Sequence, residues 1–373
     1  MAQERKKVRV FVIVLLLFVY FVLASRPITH ETVLVPKWLS SLESDLLVPL
    51  GGSERPVETL LPFALSDRFG YVDSTGRFPV NKTKNGEIYL CENQWTEYGA
   101  IPDKIEIMNI SSEVKLTIEA PGGYPILLDD RVFILGSDQN MLSEIDKNGK
   151  VMWTYEFGAP ITCIDAAGGL VLTGTIDGVV EILGSDGARI FVFEPGGSRY
   201  SIILGCALSS DGLRAGIVSG INEQRFLVLE SYAGGEYRVI YHEFLGGNFR
   251  RPVHILFVDQ DRRIVYERPE GIGYFNIKTR KGLRIPLSGS ITAIENSGDD
   301  GFFFLINSYP DNRKELIGIK FPRDSVLPLA EDGKDVIFLN APFRSGDVFL
   351  GRNKDMLIVG GGKTLISYEL EKK

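Results

Sequence analysis

The chain has 373 residues, a formal net charge of −7, 44% hydrophobic and 24% charged residues. That length supplies one large core or two modest ones. The acidic balance excludes broad adhesion to nucleic acid or to anionic lipid. Forty glycines and 22 phenylalanines suit an all-β protein with many tight turns.

The first segment, residues 1–9, is basic: Arg5, Lys6, Lys7 and Arg9 stand against Glu4. Val10 to Ala24 comes next without a charge, so residues 10–25 are expected to be a transmembrane anchor or a signal peptide. Basic residues ahead of an apolar stretch keep the N-terminus in the cytoplasm and export the chain beyond that stretch. Val22-Leu23-Ala24 resembles a cleavage site, which leaves two readings open. One is a single-pass protein of a bacterial cytoplasmic membrane with its C-terminal domain in the periplasm or outside. The other is a periplasmic protein cleaved after Ala24. The anchor is the expectation.

Residues 26–62 hold five prolines and read as a spacer, with Thr32 to Val35 a candidate closing strand. Leu39, Leu42 and Leu46 fall on one helical face, which predicts a short helix over Trp38 to Leu47. From Phe63 onward strands recur. Arg68 to Val80 reads as strand, turn and strand; Glu87 to Cys91, Lys104 to Met108 and Lys115 to Glu119 read as further strands; Pro121-Gly122-Gly123 closes this first unit.

Two copies of one pattern come next. Asp130 to Gly158 and Gly168 to Gly196 align without a gap, matching Gly136 with Gly174, Gly149 with Gly187, Trp153 with Phe191 and Glu156 with Glu194. A self-similar unit of about 40 residues made of short strands is the signature of a β-propeller blade. Further units run from Ser201 to Phe244, Pro252 to Leu287 and Ser290 to Phe321, and a last one runs from Lys334 to Leu370. Counting gives six or seven units, and about seven four-stranded blades over residues 63–373 close a ring without exposed sheet edges.

Asp146-Lys147-Asn148-Gly149-Lys150-Val151-Met152-Trp153 resembles the D-x-x-T-G-K-x-x-W repeat of quinoprotein-like (PQQ/WD40-like) propellers, with Asn148 in the threonine position. The second copy keeps Asp186-Gly187 and has Phe191 for the tryptophan. The resemblance implies a propeller in which the tryptophan docks against the neighbouring blade. It is closest in style to the non-catalytic scaffold propellers of the bacterial envelope. The quinone-cofactor dehydrogenases that share the repeat need a calcium site and usually adjacent cysteines, and no Cys-Cys pair occurs here.

No residue pattern specifies catalysis, a cofactor or a metal. His30, His242 and His254 lack ligand spacing. Gly360-Gly361-Gly362-Lys363-Thr364 precedes a strand where a phosphate loop needs a helix, so it reads as a hairpin turn. Cys91, Cys163 and Cys206 are isolated; the latter two sit in apolar strand patterns as core side chains or as a bridge between neighbouring blades. Surface remains. Arg250, Arg251, Arg262, Arg263, Lys278, Arg280, Lys281 and Arg284 gather as a basic patch for an acidic partner. Tyr98, Tyr124, Tyr200, Tyr232 and Tyr309 fall in expected turns, where aromatic rings serve as contact anchors. The expectation is a non-enzymatic, membrane-anchored, extracytoplasmic propeller that binds envelope proteins. The alternative is an enzyme or a small-ligand or metal sensor that uses the central channel.

Overall fold

The computed structural model describes residue 20 and residues 32–44, 46–50, 60–128, 130–233, 235–295, 301–321, 336–353 and 356–372. Apart from Tyr20, the expected membrane segment 10–25 lies outside the described residues, as does the basic segment 1–9. Among the described residues no helix is long and apolar enough to cross a membrane. Residues 36–369 form one compact unit, and residues 1–35 with 370–373 are assigned to a second.

The described strands form eight antiparallel sheets, and we number them as blades in chain order. Blade 1 (61–83) has three strands. Blades 2 (87–119), 3 (124–156), 4 (161–193), 5 (203–244), 6 (255–286) and 7 (290–344) have four each. Blade 8 has five: Val348–Asn353, Met356–Gly361, Thr364–Lys372, Thr32–Ser41 and Leu47–Pro49. The first strand of each blade lies innermost. Leu61–Leu65 of blade 1 touches both Val348–Asn353 of blade 8 and Glu87–Leu90 of blade 2, which closes the ring.

The middle strands are covered on both faces by neighbouring blades. They read as unbroken buried runs rather than alternations, as in Phe302–Ser308 and Gly271–Asn276. Outer strands alternate: Lys281–Pro286 buries Leu283 and Ile285 and exposes the residues between. The cores sit between blades. Phe133, Trp153 and Val171 join blades 3 and 4; Leu172, Cys206 and Ile217 join 4 and 5; Phe226, Tyr266 and Phe275 join 5 and 6.

Three sequence expectations need correction. The ring has eight blades, not seven, because residues 63–123 hold two sheets rather than one unit. Blade 1 has three described strands, the last only Val80–Thr83, and its short pattern merges with the next. Trp38 to Leu47 is not helical. Thr32–Ser41 is a strand, and Leu47–Pro49 folds back on it with Ser40 opposite Leu47 and Trp38 opposite Pro49. Trp38, Ser40 and Leu42 are the buried positions, a period of two that overrides the leucine spacing. Finally, Ile337–Arg344 is the outer strand of blade 7 rather than the start of the last unit.

Candidate functional site

The inner strands Ile161–Ala167, Ile203–Leu208 and Ile255–Val258 of blades 4 to 6 border a cavity of about 480 Å³ on the channel side. Its polar wall is anchored by two carboxylates. Asp165 Oδ1 accepts from the Ala166 N–H at 2.9 Å, and Oδ2 accepts from the Leu208 N–H of the next blade at 2.7 Å. Asp261 Oδ2 accepts from the Ser210 N–H at 2.7 Å and from the Ser210 hydroxyl. Asp261 closes a turn in which Asp259, Gln260 and Asp261 all take left-handed φ values of 55–58°. Three such residues in succession make a rigid, strained corner at the mouth of the cavity.

Cys206 belongs to the lining of this cavity, whereas Tyr89 and Cys91 belong to blade 2. The Cys206 thiol lies against Cys163, and a hydrogen bond between the two, with burial second, holds its pKa well above the usual thiol range. Burial first, then Asp130 and Glu92, pushes Cys91 up to about 11. Burial likewise pushes Tyr89 up to about 12. Each of these shifts favours the uncharged form at neutral pH. Among the described residues no three His, Cys, Asp or Glu side chains converge as a metal site.

The repeat-motif residues hold blades together. Asp146 Oδ1 accepts from the Asn148 and Lys150 N–H groups, an Asx turn whose bonds, led by the Lys150 N–H, lower the carboxyl pKa. Gly149, with φ +82°, brings that turn against the Thr117 carbonyl of blade 2; a Cβ there would sit 2.4 Å from the oxygen. Asp186 accepts from the Ala188 N–H in the matching turn of blade 4. Gly187 lies over the Trp153 ring of blade 3, where a Cβ would come within 2.5 Å. The Trp153 indole N–H donates to Glu144 Oε2 at 2.7 Å, and Arg131 grips the same carboxylate. Phe191 packs on Tyr237 of blade 5 at 5.3 Å between centroids. Sequence reasoning missed Trp38, which occupies the same kind of place. Its ring lies under Gly76 of blade 1, and its N–H donates to the Ser74 carbonyl at 2.9 Å. The D-x-x-G spacing of Asp73 to Gly76, the same as Asp146 to Gly149, was the unread signal of such a docking turn.

The basic residues gather on blade 6 and its junction with blade 5, tied closely to acids. Arg251 pairs with Glu267, Arg262 and the buried Arg263 with Asp259, Arg280 with Glu230, and Arg284 with Glu243. Arg250, Lys278 and Lys281 are exposed. Tyr98, Tyr124 and Tyr309 are half-buried, whereas Tyr200 and Tyr232 are open to solvent. Tyr232, expected as a contact anchor, is joined by two exposed apolar residues that the sequence did not single out. It is 42% exposed, Leu213 50% and Ile190 47%. These residues sit on adjoining elements: the Ser231 N–H donates to the Leu213 carbonyl, and Gly235, in the Tyr232 turn, lies beside Ile190.

His254, at the start of blade 6, gives this region a pH dependence. Burial, the largest cause, lowers its pKa below 6.5, with Arg251 adding to the effect and Glu267 opposing it. Between the folded pKa and 6.5 the unfolded chain holds more protons, so stability falls as pH drops through that window. Comparing unfolding midpoints at pH 7.5 and 5.5 is expected to show a smaller loss in His254→Asn than in the parent chain. An equal loss in both would remove His254 from the account.

A family model described as beta-propeller protein matches residues 1–372. An uncharacterized protein of Treponema pallidum (strain Nichols) is 28% identical over 302 residues, 78% of each chain. Among solved structures, BamB from Moraxella catarrhalis superposes with a TM-score of 0.55 at 13% identity, covering 90% of this chain and all of that one. A chain in the crystal structure of the mitotic checkpoint complex gives 0.52 at 12% identity, covering 87% of this chain and all of its own. At these identities the two structures speak to fold alone.

Proposed function

This chain belongs to the β-propeller protein family, and on that basis we propose that it is a non-catalytic scaffold that docks a protein partner. The carrying observation is the exposed apolar surface of Ile190, Leu213 and Tyr232 where blades 4 and 5 meet. Exposed apolar side chains on adjoining elements fit a contact site, since aromatic anchors bordered by polar groups dominate such interfaces. Arg238 stands over the Tyr232 ring at 5.1 Å and supplies part of that polar border. A further point of support is that one solved structure with this fold is, by its title, that of a complex.

The apolar segment 10–25 behind a basic N-terminus supports a tether, with the propeller on the extracytoplasmic side of a bacterial membrane and envelope proteins as the partner class. Mild crosslinking of the full-length chain in its own membranes, capture and mass spectrometry test both parts. A recurring set of envelope proteins, lost when Tyr232→Ala and Ile190→Asp are combined, is the expected result. The same set recovered by the double variant would overturn the docking surface. Recovery of the chain from the soluble fraction after carbonate extraction would overturn an uncleaved tether.

A second reading rests on the channel-side cavity of about 480 Å³ beside Asp165 and Cys206, a volume that suits a small ligand. Native mass spectrometry showing a stoichiometric bound molecule, with no protein partner captured, would favour this sensor over the scaffold.

A further inference from the structure

Two thiols meet in the seam between blades 4 and 5. Cys163, on the inner strand Ile161–Ala167, and Cys206, on Ile203–Leu208, belong to one core. Side chains alternate faces along a strand, and both strands use that alternation to turn a sulfur into this seam. Ile164 and Ala166 pack towards blade 3, which leaves Cys163 and Asp165 facing blade 5. Ala207 packs towards blade 6, which leaves Cys206 and Leu208 facing blade 4.

The register across the seam is pinned on both sides of the pair. The Thr162 hydroxyl donates to the Ile203 carbonyl at 2.6 Å, and Asp165 Oδ2 accepts from the Leu208 N–H at 2.7 Å. Asp165 and Leu208 each stand two residues beyond a cysteine, so the same offset sets Cys163 beside Cys206. Room for the sulfur comes from Gly174, the sheet partner of Cys163: a Cβ there would sit 2.7 Å from Cys163 Sγ and against the Ile203 side chain. From the other blade, Cys206 Sγ reaches towards the Leu172 carbonyl of the same strand at 3.9 Å. A disulfide forms only where the two Cβ vectors converge, and here each sulfur is turned to the opposite blade. Cys91 is set apart in blade 2, with its Sγ towards the Leu127 carbonyl.

The geometry points to an inter-blade disulfide site at Cys163 and Cys206, closed by exchange with an external disulfide. Cys163, half-buried where Cys206 is buried, is the sulfur an outside reagent meets first. Its thiolate attacks one sulfur of the external disulfide, which leaves a mixed disulfide and releases one thiol. Cys206 then loses its proton and attacks Cys163 Sγ, which releases the second thiol. Two protein thiols become one S–S bond, one external disulfide is reduced to two thiols, and the two protons end on those thiols. The bond between Cys206 and Cys163, with burial, holds the Cys206 thiol protonated, so the second step is the slower. The closed bridge constrains the unfolded chain between the two blades and thereby stabilises the ring.

The test takes the full-length chain, reduced and then transferred to glutathione disulfide, through thiol alkylation and peptide mass spectrometry. The three free thiols are expected to fall to one, Cys91, with the Cys163 and Cys206 peptides joined. The melting temperature is expected to rise on oxidation and to return on reduction, and Cys163→Ser is expected to show no such rise. Cys206→Ser is expected to stop at a glutathione adduct on Cys163, whereas Cys163→Ser leaves Cys206 unmodified. Cys206→Ala serves if serine at that buried position does not fold. Three outcomes overturn the proposal: all three thiols stay free, Cys91 is found in the bridge, or the bridged chain melts at or below the temperature of the reduced one.

Discussion

Replacing Trp153 with alanine is expected to cost ~3–5 kcal/mol of stability. The indole is buried between Phe133 of its own blade and the Gly187 turn of blade 4. Its removal leaves a void in the core shared by blades 3 and 4, and Gly187 cannot descend to fill it because its turn is fixed by the Ala188 bond to Asp186. The indole N–H is also the third donor on Glu144, which keeps only Arg131 afterwards. Trp153→Phe keeps most of the area and loses that bond, so about 1–2 kcal/mol is expected. Urea unfolding midpoints at unchanged slope measure both. A loss below ~1 kcal/mol for alanine would show that the ring bears little of the seam.

Glu243→Ala is expected to be nearly as severe, ~3–5 kcal/mol, for an electrostatic reason. Glu243 lies on the outer strand of blade 5 and reaches the buried Arg268 of blade 6. Its Oε2 also accepts from the Tyr241 hydroxyl at 2.8 Å and the Tyr266 hydroxyl at 2.9 Å, and Arg284 approaches at 3.6 Å. Burial, followed by Arg284, lowers the Arg268 pKa to about 10, so the guanidinium stays charged at neutral pH and needs its counter-ion. Alanine strands that charge and two phenols at once. Replacing Glu243 and Arg268 together by methionine should recover much of the loss, since the cost comes from the unpaired partner. If the single variant unfolds at the parent denaturant concentration, the pair is not a stabilising contact.

Both variants act between blades, and that is where the sequence was most and least readable. The repeat over residues 130–196 was legible because turn and seam coincide there: Asp146, Gly149, Trp153 and Gly187 are needed for local turn geometry and for docking alike. The spacing therefore carried the blade fold. Blade 8 was legible in part: Thr32 to Val35 was read as a closing strand and Gly360 to Thr364 as a hairpin turn, but the reach of the first strand to Ser41 and the added strand Leu47–Pro49 were not, because the blade's strands come from opposite ends of the chain and form no contiguous repeat. Trp38 performs a seam role like that of Trp153, yet its strand is flanked by leucines at helical spacing and was read by that local period. The basic patch was visible as composition, but pairing with Glu230, Glu243, Asp259 and Glu267 depends on which strands become neighbours. The nearness of Ile190 and Leu213 to Tyr232 depends on contacts between distant turns, which no local pattern records.

The make-up of blade 8 also sets a clock on how this molecule is made. The strand Thr32–Ser41 leaves the ribosome more than 300 residues before Thr364–Lys372, its neighbour in the sheet, an interval of roughly 15–60 s at ordinary synthesis rates. Through that interval Trp38 has its Gly76 turn within reach but one side of its strand has nothing to pair with. Earlier blades can stack in order, each on its predecessor, while the final loop closure waits for the last strand and carries the entropic cost of joining the most distant segments. A nascent chain halted before residue 364 is thus an open arc with a bare sheet edge at each end, a form prone to misassembly.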